Sequence, residues 1–153
     1  MRQTTYIMVK PHFANFDEVI AKVEKEIKEK EMEIIDSAFI KYSIKDAQAH
    51  YAEHFRGSYE AAKPFYKDLE NYITSDKAYG MIVTGENAIQ SMRDLIKILR
   101  QEIPTMLGEE PRITENVLHG SDCEESAENE IKIFKSLKNA KKKSSCRWGF
   151  FYY

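Results

Sequence analysis

The chain has 153 residues and a net charge of −2, with 42% hydrophobic and 31% charged residues. This length and mixture are typical of one folded domain, residues 1–153, and exclude a disordered or fibrous chain. Because 25 acidic residues outnumber 23 basic ones, an overall basic surface that would hold nucleic acid is excluded as well. Any chemistry on phosphate must therefore depend on local groups.

The two cysteines and the apolar segments favour a cytoplasmic protein. Cys123 and Cys146 lack the paired spacing of a zinc site or a disulfide framework. The first residues carry no apolar core of a secretion signal, and no run of residues approaches the length that spans a bilayer. The basic run Lys141–Lys143 is most simply a solvated turn, so we expect no contact with nucleic acid or membrane.

The first half of the chain reads as a strand, a helix and a second strand. Thr4–Lys10 is β-branched and aromatic and stops at Pro11, which predicts a strand with a lysine at its far end. Asp17 is placed to cap a helix whose apolar residues recur at helical spacing, and Met32–Tyr42 predicts the second strand. Lys10 is therefore expected to project from an edge of the sheet.

The middle of the chain predicts two short helices, a third strand and a long amphipathic helix. The short helices are Lys45–His54 and Lys63–Thr74, and the strand is Ala78–Gly85. Arg93 falls beside the apolar stripe of the long helix, a position where an arginine is unusual and indicates a specific role. The stripe consists of Ile89, Met92, Ile96 and Leu99.

The last third predicts a loop containing Pro104, a short strand at Asn116–Leu118 and a helix over about Cys123–Leu137. The order of elements suits an α+β fold, a ferredoxin-like βαββαβ antiparallel sheet covered by helices on one side, with extra helices. The aromatic tail Ser144–Tyr153 is expected to dock on the body or on a neighbouring subunit.

The densest chemical signal places His119 and Gly120 between the short strand and the last helix. The start of a helix favours an anion, because its N–H groups and dipole are directed there. A neutral imidazole can act as a nucleophile without a separate base. Glu130 flanks the apolar face of the helix and could orient the ring. We expect the ring to be exposed at the floor of a cationic cleft.

A purely structural interpretation competes with this one. Ser121 or Asp122 could be a helix N-cap, with Glu124 or Glu125 completing a capping box and His119 a buried, satisfied side chain. On spacing alone this interpretation is favoured, because capping boxes are far commoner than nucleophilic histidines.

The residues from Asn116 to Ala127 resemble the active-site signature of nucleoside diphosphate kinases, which is Asn-x-x-His-Gly-Ser-Asp followed by Glu-Ser-Ala. The similarity extends along the chain. It includes Tyr6–Pro11, His50 with Tyr51, Lys63–Phe65, Gly85 with Arg93, and Trp148.

The resemblance implies a kinase that moves the γ-phosphate of a nucleoside triphosphate to a nucleoside diphosphate, by a ping-pong mechanism through a phosphohistidine on His119. It also implies Mg²⁺ bound through the phosphates, with Asp122 reaching it through water, and a homo-oligomer. The implied catalytic group is His119 with Lys10, Tyr51, Ser121 and Glu130. The implied nucleotide-binding group is Lys10, Phe65, Leu69, Arg93, Arg112, Ile113 and Asn116.

The resemblance assigns a role to most of these residues. Lys10 would neutralise the transferring phosphate and reach the ribose, while Tyr51 would bond near the reacting group and Arg93 would hold a phosphate further in. The remaining roles are stacking of the base between Phe65 and Ile113, binding of the sugar by Asn116, and orientation of His119 by Ser121 with Glu130.

The chain departs from the family pattern at several positions. His12 and Phe13 follow the lysine-proline pair, and Lys97–Leu99 replace a segment that contains a phosphate-binding threonine. An expected arginine is replaced by Met106 or Leu107, and Arg112 or Arg100 could take its role. These departures leave open a catalytically weakened nucleotide-binding regulatory module. An RNA-binding sheet is disfavoured, since no aromatic-rich strand with basic flanks is evident.

Overall fold

The computed structural model describes residues 1–50, 67–110 and 116–148, with the backbone alone for 141–148. The elements are β1 (Arg2–Val9), a 3₁₀ turn (Phe13–Asn15), α1 (Asp17–Glu29), β2 (Glu33–Ile40), α2 (Ile44–His50), α3 (67–73), β3 (Ala78–Glu86), α4 (Ala88–Met106), β4 (Leu118–Gly120) and α5 (Glu124–Trp148).

The four strands of this part of the chain form one antiparallel sheet in the order β2-β3-β1-β4. The two central strands, β1 and β3, pair along their whole lengths, from Arg2 opposite Glu86 to Val9 opposite Tyr79. The short β4 pairs with the far end of β1, where Met8 lies opposite His119. The α+β, ferredoxin-like fold expected from the order of elements is confirmed.

Helices pack on both faces of the sheet, so the expectation that they cover one side was wrong. Side chains alternate along β1: Ile7 and Val9 pack under α1 and α4, whereas Tyr6 and Met8 pack under α2, α3 and α5. The βαββαβ pattern accounts for α1 and α4. The second layer comes from the extra helices and from Phe134 of α5, which is fully buried.

Several predicted bounds differ from the structure. Pro104 lies inside α4 rather than in a loop, because its ring is buried with the apolar face of the helix just before the helix ends. Asp17 is the first residue of α1, not its cap; Phe16 holds the N-cap position and its extended backbone starts the helix. None of the helices in the described ranges is long and apolar enough to cross a membrane.

The end of the chain also differs in register and length. The strand predicted at Asn116–Leu118 begins at Leu118 and includes His119, and α5 continues beyond Leu137 to Trp148. A strand of three residues is too short to show an alternating pattern in the sequence, so pairing with β1 decides its position.

Close approach of α4 to β4 depends on a glycine. A Cβ atom on Gly120 would lie 2.5 Å from Cδ1 of Ile96, which is well inside van der Waals contact. The missing side chain therefore lets the helix lie directly on the strand that carries His119.

Gly80, on β3, is closely packed on the opposite face of the sheet. A Cβ atom on Gly80 would lie 2.6 Å from the Tyr6 hydroxyl oxygen and 2.7 Å from Cδ1 of Phe134. Because a buried ring cannot swing aside, Gly80→Ala should lower the free energy of unfolding by about 1–3 kcal/mol. Urea denaturation measures this change.

Gly85→Ala, also in β3, is the matched control, because its new methyl group would meet the flexible thioether of Met32. Its loss of stability should be the smaller of the two. Equal losses would contradict the role of the Phe134 ring.

Candidate active site

His119 occupies the middle of β4, opposite Met8 of β1, on the sheet face that carries α5. Its ring packs edgewise against His50, with the ring centroids 4.5 Å apart, and is tilted against Tyr6 at 6.5 Å. Only 7% of the residue is exposed. The expected open exposure was therefore wrong, because aromatic rings of β1 and α2 cover the imidazole.

Glu130 and His119 form a buried pair. The Nε2 atom of His119 lies 2.5 Å from Oε1 of Glu130, which is itself 3% exposed. The hydroxyl of Ser121 donates to the same carboxylate oxygen at 3.1 Å. A carboxylate buried in this way requires such partners, since removing an isolated charge from water is very costly.

Ser121 joins this pair to the central strand. The amide of Ser121 donates to the carbonyl of Tyr6 at 3.1 Å, and the amide of Tyr6 donates to the hydroxyl oxygen of Ser121 at 3.2 Å. Because α5 begins at Glu124, Ser121 and Asp122 do not occupy its N-cap position, and the capping interpretation does not describe this segment. The serine instead orients the groups around His119.

The pair with Glu130 determines the tautomer of His119. A carboxylate only accepts hydrogen bonds, so Nε2 is the protonated nitrogen and donates to Oε1. A neutral imidazole then carries its unshared electron pair on Nδ1. This assignment comes from the hydrogen-bond network.

Lys10 follows β1 on the same side as Tyr6 and Met8, which is also the side of His119. Its ammonium donates to Oδ1 of Asn116 at 2.7 Å, and its amide donates to the carbonyl of Val117 at 2.8 Å. Lys10 is 4% exposed. Lys10 therefore lies at the end of the first strand, as expected, but β1 is a central strand and the side chain is enclosed, so it does not project from an edge of the sheet.

Burial, together with the smaller effect of the nearby positive charge of Arg100, lowers the pKa of Lys10 from 10.5 to about 7. Near neutral pH the amine therefore changes readily between its charged and neutral forms. An anion bound beside it would favour the charged form.

The other predicted residues lie in different surroundings. Arg93 is partly exposed and lies 3.7 Å from a carboxylate oxygen of Asp122. Leu69 is buried in the apolar cluster under α2 and α5. Four predicted residues lie outside the described residues, and their roles stay predictions: Tyr51, Phe65, Arg112 and Ile113.

The structure adds two positioning contacts that the sequence did not indicate. The hydroxyl of Tyr72, on α3, donates to the carbonyl of Pro11 at 2.7 Å and lies 3.0 Å from the carbonyl of Asn116. His50 is buried against His119. Tyr72 follows the ordinary apolar spacing of a helix, so its sequence position gave no sign of a polar role.

Two groups of side chains differ in their suitability for a metal. The ligand atoms of His50, His119 and Glu130 lie within 4.8 Å of one another, but two of the three are nitrogens. Mg²⁺ prefers oxygen ligands and retains several waters, so this cluster does not fit it. The carboxylate of Asp122 is half-exposed and fits a contact through water.

A sequence model of the nucleoside diphosphate kinase family matches residues 3–139. The nucleoside diphosphate kinase of Listeria welshimeri is 34% identical over 139 residues, which cover 86% of this chain and 88% of that protein. The nucleoside diphosphate kinase of Methanocaldococcus jannaschii is 34% identical over 138 residues, which cover 88% of this chain and 94% of that protein.

Solved structures match the fold. The nucleoside diphosphate kinase of Aquifex aeolicus superposes with a TM-score of 0.71 at 22% identity, covering 88% of this chain and 95% of that chain. The enzyme of Halobacterium salinarum in complex with CDP superposes with a TM-score of 0.69 at 27% identity, covering 88% of both chains. The sheet and its matches define an α+β phosphotransferase. The chain belongs to the nucleoside diphosphate kinase family.

The lowered pKa of Lys10 makes stability depend on pH in a defined direction. The unfolded lysine holds its proton up to about pH 10.5, whereas the folded one releases it near pH 7. Between these values the unfolded state holds more protons, so a rise in pH stabilises the fold by at most about 1.4 kcal/mol per unit. Below pH 7 the full cost of burying the charge applies.

Lys10→Met should therefore be most stabilising, relative to wild type, near pH 6, and its advantage should shrink towards pH 10. Urea denaturation at several pH values measures the difference between the two proteins. Lys25→Met removes an exposed lysine from α1 and controls for the general loss of one positive charge. An advantage of K10M that is the same at all pH values would refute the lowered pKa.

Proposed function

We propose that the protein is a nucleoside diphosphate kinase that works by a ping-pong mechanism through a phosphohistidine on His119. The observation that carries the proposal is the bond between His119 and Glu130, since it leaves the unshared electron pair of a neutral imidazole on Nδ1. Membership of the family supports nucleotides as the substrates.

The first transfer begins with attack of Nδ1 on the γ-phosphorus of a nucleoside triphosphate. A nitrogen–phosphorus bond forms while the bond from phosphorus to the bridging oxygen breaks, and that electron pair leaves with the nucleoside diphosphate. The proton on Nε2 stays in place. The ring gains positive charge, and the carboxylate of Glu130, 2.5 Å from Nε2, stabilises it.

The second transfer is the reverse with a different nucleotide. A terminal oxygen of a second nucleoside diphosphate attacks the phosphorus, the nitrogen–phosphorus bond breaks, and its electron pair returns to Nδ1. No external base is needed in either step. Positioning and neutralisation of charge account for most of the catalysis in phosphoryl transfer.

Lys10 supplies positive charge for the phosphates. In the absence of nucleotide its buried amine, with a pKa of about 7, is charged in about half of the molecules at that pH. Bound phosphate would stabilise the charged form, so nucleotide binding recruits a proton to the site. The contact with Asn116 holds the amine at the end of β1.

Mg²⁺ is the proposed cofactor, and when bound it would offset the negative charge of the phosphates. Asp122 would contact it through water. Arg93, beside Asp122, is suited to a phosphate further from the reacting centre. A cytoplasmic location and a homo-oligomer complete the proposal and follow from the family resemblance and the composition.

The test is to incubate the protein with ATP and Mg²⁺ and to measure an acid-labile, base-stable phosphoryl group. Wild type should become labelled, while His119→Asn should not, because it removes the nucleophile. Chelation of Mg²⁺ should suppress the labelling strongly.

His12→Asn is the matched control. His12 is an exposed histidine that lies outside the buried pair, and its ring bonds to Glu109. This variant should label like wild type. Equal labelling of wild type and H119N would end the proposal, and binding of ADP without labelling would select the regulatory module instead.

A further inference from the structure

We infer that His50, His119 and Glu130 form a binding site for Zn²⁺, and that zinc bound there inactivates the nucleophile. The site goes beyond the proposed function, in which none of these side chains is a metal ligand. The loss of phosphorylation on zinc binding rests on the proposed function, whereas the binding of zinc itself does not.

Three buried side chains from three different elements supply the ligand atoms. His50 ends α2, His119 lies in the middle of β4, and Glu130 lies in the second turn of α5. Their ligand atoms all lie within 4.8 Å of one another. None of the three residues is more than 7% exposed, so the fold and not a mobile surface loop brings them together.

The chemistry of this ligand set favours zinc. Two imidazole nitrogens and one carboxylate oxygen are typical of zinc sites in which three side chains hold the ion and water takes the fourth position. Zinc–ligand bonds of about 2.0–2.2 Å place tetrahedral ligand atoms about 3.3 Å apart. The bond between His119 and Glu130, at 2.5 Å, must therefore open slightly, while the third ligand closes in from at most 4.8 Å. Side-chain rotation accounts for shifts of this size.

The ring of His50 is held in place by its neighbours. It packs edgewise on Tyr42, with the ring centroids 5.4 Å apart, on Tyr6 at 6.1 Å and on His119 at 4.5 Å. Little conformational entropy is therefore lost when this ring binds a metal. A neutral imidazole has one nitrogen with an unshared electron pair in the plane of the ring, which is the pair that a metal takes.

Zinc at this position would change the tautomer of His119. Oε1 of Glu130 lies beside Nε2, so an ion shared by the two side chains replaces the proton on Nε2 and takes the electron pair of that nitrogen. The proton lost from Nε2 is matched by one that binds Nδ1, so the imidazole stays neutral. Nδ1 then has no unshared pair with which to attack phosphorus.

Packing of the His50 ring on its neighbours, without any metal, is the alternative role of this residue. His50→Phe separates the two roles, because it keeps an aromatic ring and removes both nitrogens. His12→Asn is the control for the loss of one histidine. His12 also bonds to a carboxylate, that of Glu109 at 2.9 Å, but it is exposed and lies outside the buried group.

The first experiment is calorimetric titration with ZnCl₂, without nucleotide or Mg²⁺. Wild type should bind one ion per chain, H50F should bind it at least about tenfold more weakly, and H12N should match wild type. Long-range ¹H–¹⁵N NMR of zinc-bound wild type should show the proton of His119 on Nδ1. Circular dichroism checks folding, and His50→Gln replaces H50F if that variant does not fold.

The second experiment measures phosphorylation after zinc loading. Excess zinc is removed by desalting before ATP and Mg²⁺ are added, and each protein is compared with its own zinc-free form. Wild type and H12N should lose most of their labelling, and prior removal of zinc with a chelator should restore it. H50F should label to the same extent with and without zinc.

Zinc binding by H50F within twofold of wild type would overturn the inference, and so would an equal loss of binding in H12N, which indicates a surface site. Full labelling of zinc-loaded wild type, or a proton that stays on Nε2, would overturn it as well. Each of these results leaves the proposed function intact if zinc-free wild type becomes phosphorylated. Failure of that phosphorylation, with zinc binding that depends on His50, would overturn the proposed function and not the zinc site.

Discussion

The hydrogen bond between Nε2 of His119 and Glu130 is the constraint on which the site depends. It joins two elements, β4 and α5, that are held by different parts of the fold: β4 pairs with β1, and α5 packs on the sheet through Phe134. The bond is short and buried, so loss of either element would leave a costly unpaired charge. The same contact therefore serves stability and chemistry. Glu130 needs a hydrogen-bond partner because it is buried, and it also orients the imidazole of His119.

The central strand organises the remainder of the site. Alternation along β1 brings Tyr6 and Lys10 to the face that carries His119, while the opposite face is filled by α1 and α4. Gly120 lets α4 approach β4 from that second face, and Arg100 bonds to the strand next to the histidine. The placement of Lys10 and of the His119–Glu130 pair thus depends on the packing of the whole sheet.

Part of this arrangement was predictable from the sequence. The order of elements predicted the antiparallel sheet, and the stop at Pro11 predicted a lysine at the end of the first strand. The position of Glu130, three residues after Ala127, predicted a carboxylate at the flank of the apolar face of the last helix. The position of β4 was not predictable, because three residues show no period and pairing with β1 decides their register. The burial of His119 was not predictable either, because it depends on the rings of Tyr6 and His50, which are distant in sequence. Both features depend on contacts between elements that are distant in sequence, which the pattern of one element does not reveal.

The tautomer of His119 shows whether the bond to Glu130 directs the imidazole. Long-range ¹H–¹⁵N NMR of histidine-labelled protein, recorded at alkaline pH where imidazoles are neutral, distinguishes the protonated ring nitrogen from the bare one. Comparison with the spectrum of H119N identifies the signals. We expect a proton on Nε2 and an unprotonated Nδ1. A proton on Nδ1 with Nε2 bare would contradict this expectation, because Glu130 could not then accept a hydrogen bond from the ring.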